Sequence, residues 1–341
     1  MFETRSSTPA ADGYRMPPEW APHAACLVEW PCRRELWRDQ LEQARADYAA
    51  VANAIAAFEL VLMVANPDDA AEARRLCGEG VEVLEWPLDD SWARDNGPAF
   101  VKNAAGELAV VGFGFNAWGD RWHPYDADAA IPERLARHLG LPFYRTPMIL
   151  EGGSFMVDGE GTLITTEQCL LDPNRNPTLS RGAIEQGLRD YLGVSSVIWL
   201  PFGHTLDVGP EATDGHVDGI ATYVGPAHVL LEVPEDPAAT EHETGLANLA
   251  ELEAAHDAAG RAFRISRLDP GPAAQLAYAN LYLANGAAIV PVADDPAVDE
   301  PVLAYLATVF PDRQVVGVPG LALNFGGGGP HCITQQIPAA G

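Results

Sequence analysis

The hydrophobic and polar positions of this chain follow two periods, and the same order of periods recurs five times. In each recurrence an amphipathic helical pattern is followed by a short apolar run that ends near a proline. The helical patterns cover 67–76, 131–139, 180–192, 245–259 and 297–309. The apolar runs, which predict strands, cover 81–87, 142–147, 197–201, 262–268 and 314–319. The pattern predicts an α/β protein, built either from one repeated unit or as a doubly wound sheet.

Side chains that could take part in catalysis or ligand binding lie in the polar or glycine-rich segment that follows each predicted strand. In chain order they are Asp95, Glu151, the pair His216 and Asp218, Asn280, and Cys332. Functional sites of sheet proteins gather where loops from different strands converge. This placement favours the repeated unit, with five loops around one axis supplying one pocket.

Composition agrees with a folded chain and narrows the class of ligand. Of 341 residues, 48% are hydrophobic and 20% are charged, which is ordinary for globular proteins. The 48 acidic residues outnumber the 21 basic ones and give a net charge of −27. Such a surface repels phosphate backbones and anionic lipid, so we expect no nucleic-acid or membrane partner. Small cations are the more compatible ligands.

The sequence also predicts where the protein resides. Charge-free stretches fall well short of a membrane span, and residues 1–15 lack the apolar run of a signal peptide. We therefore expect a cytoplasmic protein. Its oligomeric state stays open, with a homo-oligomer among the alternatives.

Cysteine usage points to one reactive thiol rather than to a disulfide framework or a structural zinc site. The five cysteines form an odd set without a C-x-x-C pair. Cys332 follows the glycine run 326–329, where the chain and a planar group can approach closely, and it is the candidate nucleophile. Cys26, Cys77 and Cys169 are interpreted as small buried hydrophobic residues, and Cys32 stays unassigned.

His216 and Asp218 are two residues apart in a segment of strand-like composition, which predicts that both side chains share one face. A structural histidine at a strand start and a metal site with a third ligand are the alternatives. Because no H-E-x-x-H motif or close histidine pair is present, no metal is predicted. Gly112, Gly114 and Gly119 miss the dinucleotide spacing, and no cofactor is predicted.

Two acidic segments add carboxylates to this set. Residues 89–95 contain three aspartates and Trp92. Taken alone, Asp-Asn-Gly-Pro at 95–98 predicts a turn. Glu151 follows an apolar strand, where a buried carboxylate is costly unless a cation pairs with it. That cost favours a cationic ligand.

One thiol, one histidine and several carboxylates, with no arginine expected among them, predict a substrate that carries the positive charge itself. Guanidinium is planar and permanently charged, and two carboxylates can bind it in bidentate fashion. A thiol among carboxylates should have a raised pKa, which a bound guanidinium would lower again. Thiolate attack on the guanidinium carbon, protonation of departing ammonia by His216, and hydrolysis of the thiouronium would amount to deimination.

At these residues the chain resembles the agmatine deiminases and the related bacterial peptidylarginine-deiminase-like proteins of the guanidine-modifying superfamily. The resemblance runs from residue 16 to residue 338. It is carried by WARDNGP (92–98), GFNAWG (114–119), EGGSFMVDGEGTLITTEQCLLDPNRNP (151–177), DGHVD (214–218) and HCITQQ (331–336). It implies a five-bladed α/β propeller with pseudo-fivefold symmetry, the pentein fold, with 1–341 as a single catalytic domain.

The resemblance also implies residue roles and a substrate, agmatine, which would yield N-carbamoylputrescine and ammonia without a cofactor. Asp95 and Asp218 resemble the carboxylates that bind guanidinium, and Cys332 the nucleophile. The remaining acid/base and positioning groups are Glu151 and His216, with Trp92 as a pocket wall and Asn280 as a further polar contact.

The chain departs from the family pattern at Asn96, Phe155, Met156, Gly219, Gly329 and Pro330. The substrate tail is therefore less firmly predicted than the deimination. Alternatives are another guanidino compound, such as free or peptidyl arginine, amidino transfer to an amine, and a non-catalytic binding protein of the same fold. A cysteine peptidase is disfavoured because carboxylates crowd the thiol.

Overall fold

The computed structural model describes residues 2–209 and 211–341, and the strands of this part of the chain form five β-sheets. In chain order the strands are β1 Glu3–Arg5, β2 Tyr14–Arg15, β3 His23–Glu29, β4 Leu60–Ala65, β5 Val81–Glu85, β6 Ala99–Asn103, β7 Leu108–Gly114, β8 Pro142–Ile149, β9 Phe155–Val157, β10 Thr162–Thr166, β11 Ser196–Leu200, β12 Ala221–Gly225, β13 His228–Glu232, β14 Arg264–Leu268, β15 Tyr282–Ala284, β16 Ala287–Val292, β17 Gln314–Pro319 and β18 Thr334–Pro338.

Helices connect these strands. The α-helices are α1 Arg34–Trp37, α2 Leu41–Ala56, α3 Ala70–Leu76, α4 Ala93–Asn96, α5 Ala117–Asp120, α6 Asp126–Ala129, α7 Ile131–Leu139, α8 Glu167–Leu170, α9 Arg181–Leu192, α10 His242–Ala254, α11 Pro296–Val309 and α12 Leu321–Gly326. Short 3₁₀ turns cover Arg38–Gln40, Gly152–Ser154, Thr205–Asp207 and Val217–Gly219. No helix within the described residues is long and apolar enough to cross a membrane.

The sheets share one plan, in which an antiparallel pair is extended by a parallel strand. β6, β9, β12 and β15 each run antiparallel to the next strand, and that strand pairs in parallel with β8, β11, β14 or β17. In the remaining sheet β18 lies antiparallel to β3, which continues in parallel to β4 and β5. The predicted repeated unit and the pentein fold are confirmed.

Local sequence explains why the connecting helices begin and end where they do. The Ser180 side chain accepts a hydrogen bond from the backbone N–H of Ala183 at 3.3 Å and caps the start of α9. Gly193, with φ 70°, ends the helix in the left-handed region. Between them Ile184, Leu188 and Leu192 recur every fourth residue and are buried.

The predicted elements agree with the structure at the helix-and-strand half of each unit. Ile131–Leu139 and Gln314–Pro319 have the predicted bounds, whereas the helix predicted at 245–259 is observed at His242–Ala254. The helix ends early because Asp257 turns the chain by accepting hydrogen bonds from the backbone N–H groups of Ala259 and Arg261. The sequence pattern did not predict the antiparallel strands, because strands of three to seven residues are too short to show a clear hydrophobic periodicity.

The antiparallel strands place the candidate residues. Asp95, Glu151, Asp218, Asn280 and Cys332 lie shortly before β6, β9, β12, β15 and β18, respectively. Each sheet therefore presents one short loop to the same region.

Candidate active site

Gly153 marks the point at which the loops converge. A methyl group built on its Cα would lie 2.6 Å from His216 Nδ1 and 2.8 Å from both Asp95 Oδ1 and Asp218 Oδ2. These three side chains come from two loops that are far apart in the chain. The space that the glycine leaves open is therefore the shared centre of the predicted site.

The Cys332 thiol is buried beside an amide and a carboxylate. Its Sγ lies 3.1 Å from Asn280 Nδ2 and 3.5 Å from Asp218 Oδ2. Burial, reinforced by the carboxylates of Asp218 and Asp95, raises the pKa of this thiol well above its ordinary value. The predicted raised pKa is confirmed, and these surroundings favour a protonated thiol.

Asp95 is held by two donors from neighbouring loops. Trp118 Nε1 donates to Oδ2 at 2.8 Å, and the backbone N–H of Gly153 donates to Oδ1 at 3.1 Å. Burial raises the pKa of Asp95 to about 6, against the lowering effect of His216. The hydrogen bonds fix the carboxylate so that it cannot turn away from the pocket.

Glu151 is paired with a cation of the protein itself. Arg175 Nε donates to Glu151 Oε1 at 3.0 Å, and Arg175 also bonds to Asp214 and to the carbonyl oxygen of Thr213. Although burial opposes ionisation, Arg175 lowers the pKa of Glu151 to about 2. The expectation that no arginine belongs to the cluster is therefore wrong. Glu151 does not need a cationic ligand, because Arg175, within the same 151–177 stretch, supplies the positive charge.

His216 lies between two carboxylates. Its Nδ1 is 3.7 Å from Asp95 Oδ1, and its Nε2 is 3.9 Å from Glu151 Oε2. Burial opposes protonation, but the Asp95 carboxylate raises the pKa of His216 well above 6.5. The imidazole therefore holds its proton at neutral pH.

The predicted strand at His216 and Asp218 is wrong, although both side chains do reach the same site. Val217–Gly219 forms a 3₁₀ turn, and the strand begins only at Ala221. The backbone N–H of His216 donates to Asp207 Oδ2 at 2.9 Å and therefore does not pair with a neighbouring strand. The side chains converge because the turn folds around the Gly153 loop.

A metal ion has one candidate ligand set among the described residues. Glu151, Cys169 and His216 offer ligand atoms within 4.8 Å of one another, and Cys169 is buried as the sequence predicted. The Arg175 guanidinium 3.0 Å from Glu151 opposes a further cation at this position. The expected absence of a metal stays a prediction.

Sequence reasoning did not find the residues that stand behind Asp218. His331 Nδ1 lies 2.8 Å from Asp218 Oδ2, and His331 Nε2 lies 3.0 Å from Glu19 Oε1, which also accepts from Arg94 Nη1 at 3.0 Å. Burial opposes ionisation of Asp218, but the hydrogen bond from His331 lowers the pKa of its carboxyl. The one sequence feature that could have indicated a role for His331 in the site is its position next to Cys332.

Aromatic rings wall the pocket above the thiol. Trp92 stacks on Trp37 with ring centroids 5.8 Å apart and meets Trp118 edge-on at 6.5 Å. The pocket holds about 360 Å³ including its open mouth. Asp95 and Cys332 lie at its buried end and Glu211 at its exposed end.

None of the six residues that depart from the family pattern belongs to the described lining of this pocket. Phe155 and Met156 are buried in β9, Gly219 ends the 3₁₀ turn, and the carbonyl oxygen of Pro330 accepts from Thr334 Oγ1 at 2.8 Å. Gly329 packs against Asn280, since a methyl there would lie 2.6 Å from Asn280 Oδ1. These positions shape the backbone around the site.

We expect Gly153→Ala to lower the kcat/KM for a guanidino substrate on the order of 10²-fold, because the new methyl would displace the side chains of His216, Asp218 and Asp95. Steady-state kinetics and a melting curve would measure this. Gly182→Ala is the matched control, since its methyl would meet no atom within 4 Å. Unchanged kinetics of Gly153→Ala would contradict the described convergence.

Known proteins resemble the chain along nearly its whole length. The family model described as Porphyromonas-type peptidyl-arginine deiminase matches residues 15–338. Agmatine deiminase of Pseudomonas aeruginosa is 42% identical over 365 residues, covering 98% of both chains. Among solved structures, the agmatine deiminase of Enterococcus faecalis matches with TM-score 0.92 and 36% identity, covering 98% of each chain. A cysteine-to-serine variant of the C. jejuni agmatine deiminase with substrate bound matches with TM-score 0.85 and 26% identity, covering 96% of this chain and 97% of that one.

Proposed function

Because this chain belongs to the Porphyromonas-type peptidyl-arginine deiminase family, we propose that it hydrolyses agmatine to N-carbamoylputrescine and ammonia. The observation that carries the proposal is the convergence of a buried thiol with two carboxylates, Cys332 with Asp95 and Asp218, at one end of an acidic pocket. The family supplies the class of reaction, a hydrolysis of guanidino C–N bonds.

The guanidinium of the substrate binds between Asp95 and Asp218, whose facing oxygens Oδ1 and Oδ2 surround the space beside Gly153. A planar guanidinium offers N–H donors to both carboxylates, and each charge-assisted hydrogen bond contributes about 1.5–3 kcal/mol. Asn280 orients the thiol from the other side, with Nδ2 3.1 Å from Sγ. Trp92 provides the wall against which the planar group packs.

The bound cation activates its own nucleophile. Its positive charge offsets the two carboxylates that raise the thiol pKa, so Cys332 releases its proton to solvent through the open pocket when the substrate arrives. The thiolate attacks the guanidinium carbon and forms a tetrahedral adduct. His216, protonated in the free enzyme, donates its proton to the departing nitrogen, and ammonia leaves.

The second half of the reaction restores the proton of His216. Neutral His216 removes a proton from a water molecule, which attacks the thiouronium carbon. The C–S bond then breaks, the hydroxyl proton of the tetrahedral adduct passes to the departing sulfur, and the thiol and the ureido product form. Glu151, whose charge is fixed by Arg175, lies 3.9 Å from His216 Nε2 and acts on the imidazole through its charge rather than through a hydrogen bond.

The mouth of the pocket favours a dication. Glu211 is the exposed acid in the lining, and none of the described lining residues is basic. The carboxylate of free arginine would meet the like charge of Glu211, whereas the ammonium of agmatine would be attracted to it. Arg38 lies 3.5 Å from Glu211, but both side chains are exposed and such a pair is weak enough to yield.

Agmatine, L-arginine, a blocked arginyl peptide and agmatine with an added amine acceptor would test the proposal, with ammonia and ureido product measured together. We expect turnover of agmatine with equal amounts of both products. Glu211→Gln should raise the KM for agmatine about two- to fivefold and leave kcat unchanged. The matched control is Glu79→Gln, an exposed acid outside the pocket lining. Preference for arginine, or amidino transfer without ammonia, would overturn the proposal.

A further inference from the structure

Two buried oxygen atoms near the Asp95 loop, one on each member of a hydrogen-bonded pair of side chains, have no hydrogen-bond donor among the described residues. Asn96 Nδ2 donates to Glu29 Oε2 at 2.8 Å. The other oxygens of the same two groups, Glu29 Oε1 and Asn96 Oδ1, have no hydrogen-bond partner in the described part of the chain. Glu29 is 0% exposed and Asn96 is 2% exposed, so solvent does not serve either atom. An ionised carboxylate facing an amide oxygen would leave both acceptors unsatisfied.

The surroundings of Glu29 oppose a negative charge. The neighbouring carboxylates of Asp128, Asp90 and Asp95 all act on it in the same direction. The nearby guanidinium of Arg33 is directed elsewhere, to Asp90 Oδ2 at 2.8 Å and to the carbonyl oxygens of His123 and Pro124. A buried charge with three like charges around it and no paired cation is strongly disfavoured.

We propose that Glu29 is a neutral carboxylic acid whose Oε1–H donates to Asn96 Oδ1, closing a ring of two parallel hydrogen bonds with the Asn96 amide. In this ring every polar atom of the pair is satisfied, because the acid supplies the donor that the two oxygens lack. Burial, and then Asp128, raise the pKa of Glu29 well above its ordinary value, in agreement with this geometry.

The ring makes Glu29 a positioning residue for Asp95. Asn96 is the last residue of α4, and Asp95 precedes it in the same turn. Glu29 lies at the end of β3, so the pair ties the loop that bears Asp95 to the strand beneath it. The pair also gives a role to Asn96, at which the chain departs from the family pattern. The inference concerns the support of the site and does not depend on which guanidino compound is the substrate.

Glu29→Gln and Glu29→Leu form a matched pair that tests the ring. Glutamine preserves both arms, since its carbonyl accepts from Asn96 Nδ2 and its amide donates to Asn96 Oδ1 at any pH. Leucine has similar size and preserves neither. At a pH near 4.5, below the range in which Glu29 titrates in the folded chain, we expect the Tm of Glu29→Gln within about 2 °C of wild type and that of Glu29→Leu lower by at least about 4 °C. The kcat/KM should fall about tenfold in Glu29→Leu and be restored in Glu29→Gln.

The pH dependence of stability has a defined sign. The pKa of Glu29 is higher in the folded than in the unfolded chain, so the wild type loses stability relative to Glu29→Gln as pH rises above about 4.5. The difference between the two proteins isolates Glu29 from the other groups that titrate around it. These are Asp90, Asp95, Asp128, Cys32 and Tyr48, beside the charged Arg33.

Infrared difference spectra give the direct readout and need no substrate. The spectrum of the wild type minus that of Glu29→Gln, both at neutral pH, should contain the carbonyl stretch of a protonated carboxylic acid. An absent band, or a Glu29→Gln variant as destabilised as Glu29→Leu, would overturn the neutral acid. A band together with unchanged kcat/KM in Glu29→Leu would overturn the positioning role. Because the spectra and Tm are independent of turnover, a failed substrate assignment leaves this test intact.

Discussion

Cys332→Ala is expected to lower kcat for agmatine by about 10⁴-fold or more, because the variant lacks the atom that forms the covalent intermediate. Binding should survive, since Asp95 and Asp218 keep their hydrogen bonds to Trp118, Gly153 and His331. Ammonia release would measure the loss of turnover, and calorimetric titration of the variant with agmatine would measure the retained affinity.

Cys77→Ala is the control for this prediction, since Cys77 is only partly buried and lies outside the pocket lining. It should turn over agmatine at the wild-type rate. Turnover by Cys332→Ala within tenfold of wild type would remove the covalent mechanism. Loss of binding together with turnover would mean that the thiol also organises the carboxylates.

His216→Gln is expected to lower kcat by about 10³-fold, the range of a general acid–base group. The raised pKa of His216 keeps it protonated in the free enzyme, so wild-type activity should decline only at pH values well above 6.5. The variant should lack this alkaline limb. Intact-mass spectrometry after mixing with agmatine should show whether a thiouronium adduct accumulates, because water activation then lacks its base.

His228→Gln is the matched control, because His228 is half-buried and lies 2.9 Å from Ser266 Oγ, in β13 and away from the pocket. Its kcat should equal that of the wild type. A His216→Gln variant that retains the wild-type pH profile would assign proton transfer to another group.

The electrostatics of the site fit a self-activating enzyme. Burial and two carboxylates hold the Cys332 thiol in its protonated form, which is a poor nucleophile and resists oxidation. In the mechanism that we propose, a guanidinium between Asp95 and Asp218 lowers the thiol pKa again, and does so only when a substrate is present. The guanidinium groups of Arg175 and Arg94 are bonded to Glu151 and Glu19 rather than to these two carboxylates.

Local sequence is enough to specify the repeated unit and the side chains that its loops present. Ile131–Leu139, Arg181–Leu192 and Gln314–Pro319 follow from periodicity, capping and proline placement, which act over a few residues. Cys332 stands out because its glycine run lies close to it in the chain. Information of this range is present in the chain before it folds.

The partners of these side chains are set by contacts between distant parts of the chain. Trp118 bonds to Asp95 across 23 residues, Arg175 to Glu151 across 24, and His331 to Asp218 across 113. Glu29 and Asn96, 67 residues apart, meet for the same reason. No local pattern encodes such contacts, because the closure of the sheets around one centre sets them. Since neighbouring charges and burial fix each pKa, the charge state of the site emerges only when the chain is folded.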